Sequence, residues 1–336
     1  MKAKNIFLGI AAVLFVSGCV NFGGTTQANV DIANTVSMQP ASVSVIPTPP
    51  ISAGTDFTLT YEIKNQDKAK SVDVDMNLFD WGVCKNPTIS CAPKNDPNSK
   101  QCQTLNLVPQ QTELIEIKAT APSSEEIGGI AATCPIQWRA QYTSSTVSNA
   151  GFNVVSRNHL TELQRAGKAV DVPATSSNIG TGPVKAFISF SAAENFVVSK
   201  STIQMKVQVK DLGEGTFTEI PEASLSITVP KEWYLALADE AGDEKAKDAC
   251  TTKFYPIDAI SELRSRADLK TVTFKNKNDN PIPLISKQTP ELVCNFKAPD
   301  LDNQENPIPQ KSYQVSAKIE NYVYTLDGKQ VVEIKP

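Results

Sequence analysis

The sequence predicts an all-β protein made of two β-sandwich domains in tandem, with a short linker helix and a partly helical insertion in the second. Three observations lead there. Apolar and polar residues alternate with period two through much of the chain beyond Ser42, which turns one strand face to a core and the other to water. Clusters of turn-forming residues separate the alternating runs. The order of runs also repeats. In each half a short strand leads into a longer alternating pair and a cysteine-bearing insertion. A strand ending in Ala-Pro follows (Ala121-Pro122, Ala298-Pro299), then a long tyrosine-containing strand. At 336 residues the chain has room for two ordinary domains.

At the start of the chain, Lys2 and Lys4 precede an apolar run, Ile6 to Val16. It is shorter than the roughly 20 helical residues that span a bilayer, and residues 1–18 read as a signal peptide. Val16-Ser17-Gly18-Cys19 resembles the lipobox of prokaryotic lipoproteins, in which the cysteine is lipidated and becomes the mature N-terminus. That resemblance implies a body on the outer face of the cell membrane, partnered with the membrane through a lipid on Cys19. Residues 19–41 are rich in Gly, Thr, Asn and Gln and are expected to form a flexible tether.

The first sandwich is expected over 42–156. Its strands are read at Phe57 to Ile63, Val72 to Leu78, Leu114 to Ala119, Ile136 to Tyr142 and Phe152 to Val155. The linker, 157–183, carries Leu160, Leu163 and Ala166 at helical spacing, with Gly167 placed to end a short helix. The second sandwich, 184–336, is expected to hold strands at Phe187 to Phe190, Ile203 to Val209, Leu225 to Val229, Leu292 to Phe296, Tyr313 to Tyr324 and Val331 to Ile334. Leu326-Asp327-Gly328-Lys329 between the last two predicts a tight hairpin, because Asp-Gly tolerates the positive φ of a type I′ turn. An insertion at about 231–290 interrupts the pattern, and Ile257, Ile260, Leu263 and Ala267 within it predict an amphipathic helix.

Setting Cys19 aside, six of the seven cysteines remain: Cys84, Cys91, Cys102, Cys134, Cys250 and Cys294. An even set in an exported chain predicts up to three disulfides, and no Cys-x-x-Cys pair points to zinc or redox chemistry. In an immunoglobulin-type sandwich the third and sixth strands are antiparallel neighbours. That topology favours Cys84 with Cys134 and leaves Cys91 with Cys102, although four cysteines allow three pairings. In the second half Cys250 pairs with Cys294, pinning the insertion to the fifth strand.

The composition argues against several functions. A formal charge of −4 supplies no basic surface for nucleic acid. The lone histidine, His159, falls on the linker helix, where it lacks a second imidazole for a metal site and is read as a solvated residue. No nucleophile elbow, zinc-protease motif, phosphate loop or dinucleotide fingerprint is present, so no catalytic residues are assigned. Asp300, Asp302, Asn303 and Glu305 form an oxygen-rich loop that could hold Ca2+, but it lacks the glycine and distal glutamate of an EF-hand and is read as a solvated loop. No cofactor is expected. Trp138 alternates with polar neighbours and reads as core. Trp81 and Trp233 lie just past equivalent strands in the two halves and are the candidates for a binding rim.

Ile51-Ser52-Ala53-Gly54 and Phe57-Thr58-Leu59-Thr60-Tyr61-Glu62-Ile63-Lys64-Asn65, with the alternating strand that follows, resemble CARDB-type immunoglobulin-like domains of bacterial and archaeal envelope proteins. In the second half Ser199-Lys200 stands in place of the Ala-Gly, and Asp211 in place of the asparagine. The resemblance implies an extracytoplasmic adhesion or assembly role: a non-enzymatic, lipid-anchored envelope protein that binds a protein or carbohydrate of the envelope or of another cell. Two other functions fit the same sequence, a structural subunit of a surface filament or lattice, and a solute-binding or carbohydrate-active protein using the 231–290 insertion as a lid.

Overall fold

The computed structural model describes residues 35–91, 99–172, 177–179, 182–192, 195–251, 253–277, 281–303 and 307–336. Strands make up 55% of the described residues and helices 11%, so the fold is all-β, as expected. The signal peptide and Cys19 lie outside the described residues.

In chain order the first half holds β1 (Val36–Ile46), β2 (Ile51–Ser52), β3 (Asp56–Asn65), β4 (Val72–Asp80), β5 (Lys85–Cys91), β6 (Gln101–Leu107), β7 (Thr112–Thr120) and β8 (Ala132–Val155). Helix α1 (Arg157–Arg165) and the short β9 (Ser177–Ile179) follow. Next come β10 (Val184–Phe190), β11 (Phe196–Val198), β12 (Thr202–Asp211), β13 (Glu219–Ile220) and β14 (Leu225–Pro230). The insertion contributes α2 (Lys231–Ala241), α3 (Asp243–Lys247), β15 (Phe254–Pro256), α4 (Ile260–Ser265), β16 (Thr271–Asn276) and β17 (Ile282–Pro283). The chain closes with β18 (Leu292–Lys297) and β19 (Gln310–Lys335).

Two sandwiches form, but they are not a simple tandem. One sheet in the order β15-β16-β14-β19-β8-β4-β6 runs through both. A four-stranded sheet, β1-β3-β7-β5, covers one half of it, and a three-stranded sheet, β10-β12-β18, covers the other. Tyr61 on β3 meets Trp138 on β8 edge to face across the first core, and Phe274 on β16 meets Phe296 on β18 across the second. The link between halves is the pair β8 and β19, which stay antiparallel neighbours from Gln310↔Val155 to Ile334↔Ala132. The end of β19 therefore completes the first sandwich, and the end of β8 completes the second. The boundary expected at 183/184 does not divide the strands between the sandwiches.

A bulge makes this possible. Register shifts between Ile319 and Tyr322, with Asn321 at φ 52°. Before it β19 buries Val315, Ala317 and Ile319; after it, Tyr322, Tyr324, Leu326, Val332 and Ile334. The extra residue swaps odd for even positions, so one strand can face two cores. Strand β8 keeps one phase throughout, and its polar stretch Thr143 to Asn149 stays extended because β19 pairs with it.

Four expectations are corrected. The hairpin at Asp327-Gly328 is absent: β19 continues, with Asp327 opposite Arg139 and Gly328 opposite Trp138. A Cβ at Gly328 would collide with the Trp138 ring, so this glycine serves close backbone approach and not a turn. The first sandwich includes residues before 42, since Val36 already pairs with Asn65 in β1–β3. The two strands read at 136–142 and 152–155 are one. Finally, the insertion is partly helical as expected but does not interrupt the strand pattern throughout, since β16 joins the large sheet beside β14.

Helix α1 matches its expectation. The Ser156 hydroxyl accepts the His159 N–H at 3.0 Å, and Gly167 ends the helix at φ 63°. Disulfides join Cys84 to Cys134, Cys91 to Cys102 and Cys250 to Cys294. Their placement follows the sheet: β4 and β8 are antiparallel neighbours, and Cys250 lies beside Cys294, with Asn295 N–H donating to the Ala249 carbonyl at 2.7 Å. Three disulfides mark a chain that matures in an oxidising, extracytoplasmic environment. Among the described residues no helix is long and apolar enough to cross a membrane.

Candidate functional site

The two tryptophans singled out as a rim have different fates. Trp233 is fully buried on α2, packed against Phe152, Phe296 and Tyr313. It is core and not rim, because the helix that follows β14 turns its first apolar residue inward. Trp81 follows β4 and is partly exposed, with the Lys100 ammonium 4.3 Å from its ring centre.

Trp81 also packs against the core, and the outer face of β4, β8 and β19 gathers other groups. Phe79 is 45% exposed, and the Arg139 guanidinium lies 5.3 Å from its ring centre. Arg139 donates twice to Asp327, at 2.7 and 3.0 Å, and this pairing holds its guanidinium above the ordinary value. Next to it the Gln137 amide donates to Asp80 at 2.8 Å. Val331 is also exposed on this face. An exposed aromatic ring framed by a fixed Arg–Asp fork resembles in composition the centres of protein interfaces, which favour aromatic residues and Arg. Sequence reading missed Phe79. Its signal was the adjacent pair Leu78-Phe79, which breaks the alternation of Val72, Val74, Met76 and Leu78.

The far end of the second sandwich carries a groove of about 530 Å³ between α2 and residues 297–300. Its floor is Leu235, Ala236, Ala298 and Pro299. Its charges are already engaged: Lys297 with Glu240 at 2.6 Å, Lys200 with Asp300 at 2.7 Å, and Asp239 with Arg264 at 2.8 Å. Glu232 accepts from Lys311 at 2.6 and 2.7 Å and from the Tyr313 hydroxyl at 2.6 Å. Burial raises the Glu232 carboxyl, but the Lys311 and Tyr313 hydrogen bonds outweigh it and hold the group below its usual 4.5. Burial, with the same carboxylate, pushes the Tyr313 hydroxyl well up. This groove is a clamp of paired charges.

The oxygen-rich loop divides likewise. Asp300 is bound to Lys200, which lowers its carboxyl below the usual range. Asp302 accepts from the Arg157 N–H at 3.2 Å at the start of α1. Glu305 lies outside the described residues. Among the described residues no group of three or more His, Cys, Asp or Glu is arranged to hold a metal. His159 sits on α1 with its Nδ1 3.6 Å from Glu162.

Where the sandwiches meet, Asp211 is buried and accepts from the Tyr324 hydroxyl and the Gly213 N–H, each at 3.0 Å. Burial, with nearby Asp211, raises the Tyr324 hydroxyl, and burial pushes Tyr322 up to about 12. These groups fasten the junction.

No family profile matches the chain, and no curated protein matches it. Among solved structures, the secreted serine protease VesC from Vibrio cholerae is similar at 6% identity and a TM-score of 0.17. The match covers 83% of this chain and 48% of that one, so the chain spans about half the protease chain's length. The CupB6 tip adhesin from Pseudomonas aeruginosa is similar at 8% identity and a TM-score of 0.20, over 90% of this chain and 98% of that one. Neither superposition is close enough to carry an argument about function.

Proposed function

We propose that the protein is a non-enzymatic binding module of the cell envelope, anchored through lipid on Cys19 and engaging a macromolecular partner with the outer face of its first sandwich. The observation that carries this reading is the exposed Phe79 ring beside the Arg139–Asp327 fork, set on a disulfide-braced sheet. Exposed aromatics cost free energy in water unless something covers them. A rigid sheet also keeps their geometry fixed, which lowers the entropy cost of association. The catalytic motifs absent from the sequence are in keeping with a role in binding.

Proximity crosslinking on intact cells tests the reading. The wild-type chain is expected to capture a reproducible set of envelope neighbours, and Phe79→Ala to lose them while keeping its thermal midpoint. Unchanged capture by Phe79→Ala removes this face from the proposal. Cys19→Ser is expected to release the protein from the membrane fraction; continued retention rejects the anchor.

A further inference from the structure

We propose that the outer edge of β19 in the first sandwich accepts an extended peptide segment of a partner protein as an added strand. This rests on the reading of the protein as a binding module and adds the class of partner. The backbone defines the site. Thr325 exchanges both its bonds with Thr216: Thr216 N–H donates to Thr325 O at 2.8 Å, and Thr325 N–H to Thr216 O at 3.2 Å. At the other end Ile334 and Lys335 pair in parallel with Ile51 and Ser52 of β2, and Ala53 N–H donates to Lys335 O at 2.8 Å. Between these points β19 keeps an unbroken register with β8. The period-two geometry of a strand then points the N–H and C=O groups of Asp327, Lys329 and Val331 the same way as those of Thr325, away from β8. Among the described residues no strand lies beside them.

The second sandwich shows how such an edge is closed. There the equivalent strand is the end of β8, covered by antiparallel β9 at Val147–Asn149 and by parallel β11 at Asn153–Val155. Only residues 150–152 lie between. In the first sandwich the same arrangement recurs, an antiparallel bridge near the junction and a parallel strand at the far end, but no described strand covers residues 327–331.

A groove of about 220 Å³ runs along this edge, lined by Met38, Pro40, Tyr61, Trp138 and Leu326 among others. Tyr61 is 4% exposed and Trp138 5%, and the Tyr61 hydroxyl and Trp138 Nε1 meet only each other, neither completing a hydrogen bond of normal geometry. A docked strand fits both features. Its backbone supplies donors and acceptors at the repeat that Asp327, Lys329 and Val331 present, which neither a glycan nor a lipid tail can do. Its alternate side chains enter the groove, where small apolar or hydroxyl-bearing residues suit the indole and phenol. Exposed Lys329 and Asp327 then discourage indiscriminate pairing of edges.

A random-sequence peptide display library, selected on the full chain and counter-screened on Val331→Pro, tests the site. The Val331 N–H points outward, so proline removes a docking donor and leaves the ladder to β8 intact. Selected peptides are expected to alternate apolar and polar residues and to bind the variant about tenfold more weakly. Bound to the wild-type chain, they are expected to slow amide exchange at Asp327, Lys329 and Val331, a readout that needs no variant. The proposal is overturned if no peptide is enriched, or if enriched peptides bind Val331→Pro equally. It is also overturned if those amides are already protected in the free chain, either at all concentrations or increasingly with protein concentration, since its own chain or a second copy then occupies the edge. Neighbours captured on cells, combined with a failure here, reject the edge and leave the binding module standing.

Discussion

At Gly328 one missing side chain decides the path of the longest strand. The Trp138 ring lies where its Cβ would be, so the backbone of β19 can pass over the indole with no turn. Gly328→Ala forces the ring or the strand to move, and overpacking of this kind costs about 1–3 kcal/mol. Urea denaturation is expected to show a lowered midpoint of that size, whereas a loss under about 0.5 kcal/mol, ordinary for a surface position, contradicts the close approach. Gly215 plays a related part, since a Cβ there would meet Tyr324 and Leu326 and push the Thr216 bridge off the edge. Trp233 illustrates the reverse lesson for tryptophan. Its position just past a strand matches that of Trp81, but the helix that begins there buries it.

At the scale of elements, α2 is held to β19 by Glu232 with Lys311 and Tyr313. The Glu232 carboxyl lies below its usual 4.5 in the folded state. A depressed carboxylate contributes stability that is fully present above its unfolded value and is lost as pH falls through the folded one. Unfolding free energy is therefore expected to drop between about pH 5 and pH 2. Glu232→Gln is expected to remove part of that dependence, at a cost of about 1 kcal/mol at neutral pH because the pair is half exposed. Equal acid sensitivity in the two proteins, measured by urea titration across that range, contradicts the clamp.

At the scale of the molecule, β8 and β19 make two cores into one mechanical unit. A 26-residue strand extends at most about 85 Å, and both sandwiches hang on it. Neither is complete alone, because each takes its closing strand from the other half of the chain. Thermal unfolding of the full chain is expected to give one transition, coincident by near- and far-UV circular dichroism. A chain ending at residue 183 is expected to lack native near-UV signal, since Tyr322 to Lys335 are missing from its sheet. Two well-separated transitions, or a natively folded first half, contradict the shared-strand design.

Much of this was legible in local pattern. Period-two alternation in Phe57 to Ile63, Val72 to Leu78 and Ile203 to Val209 defines strands whose buried faces depend only on neighbouring residues. Disulfide pairing followed from which strands an immunoglobulin-type sandwich sets side by side. Strand identity is local, but strand partnership is not. Asp-Gly has the chemistry of a hairpin until an indole packs against it, the run Thr143 to Asn149 looks like a break until a partner strand satisfies its backbone, and an edge is open or closed only once the whole sheet is assembled. Composition and periodicity determined the β class, the cores and the disulfide set. The exchange of closing strands and the uncovered edge were decided by tertiary structure, because they depend on backbone groups that every residue carries and no side chain announces.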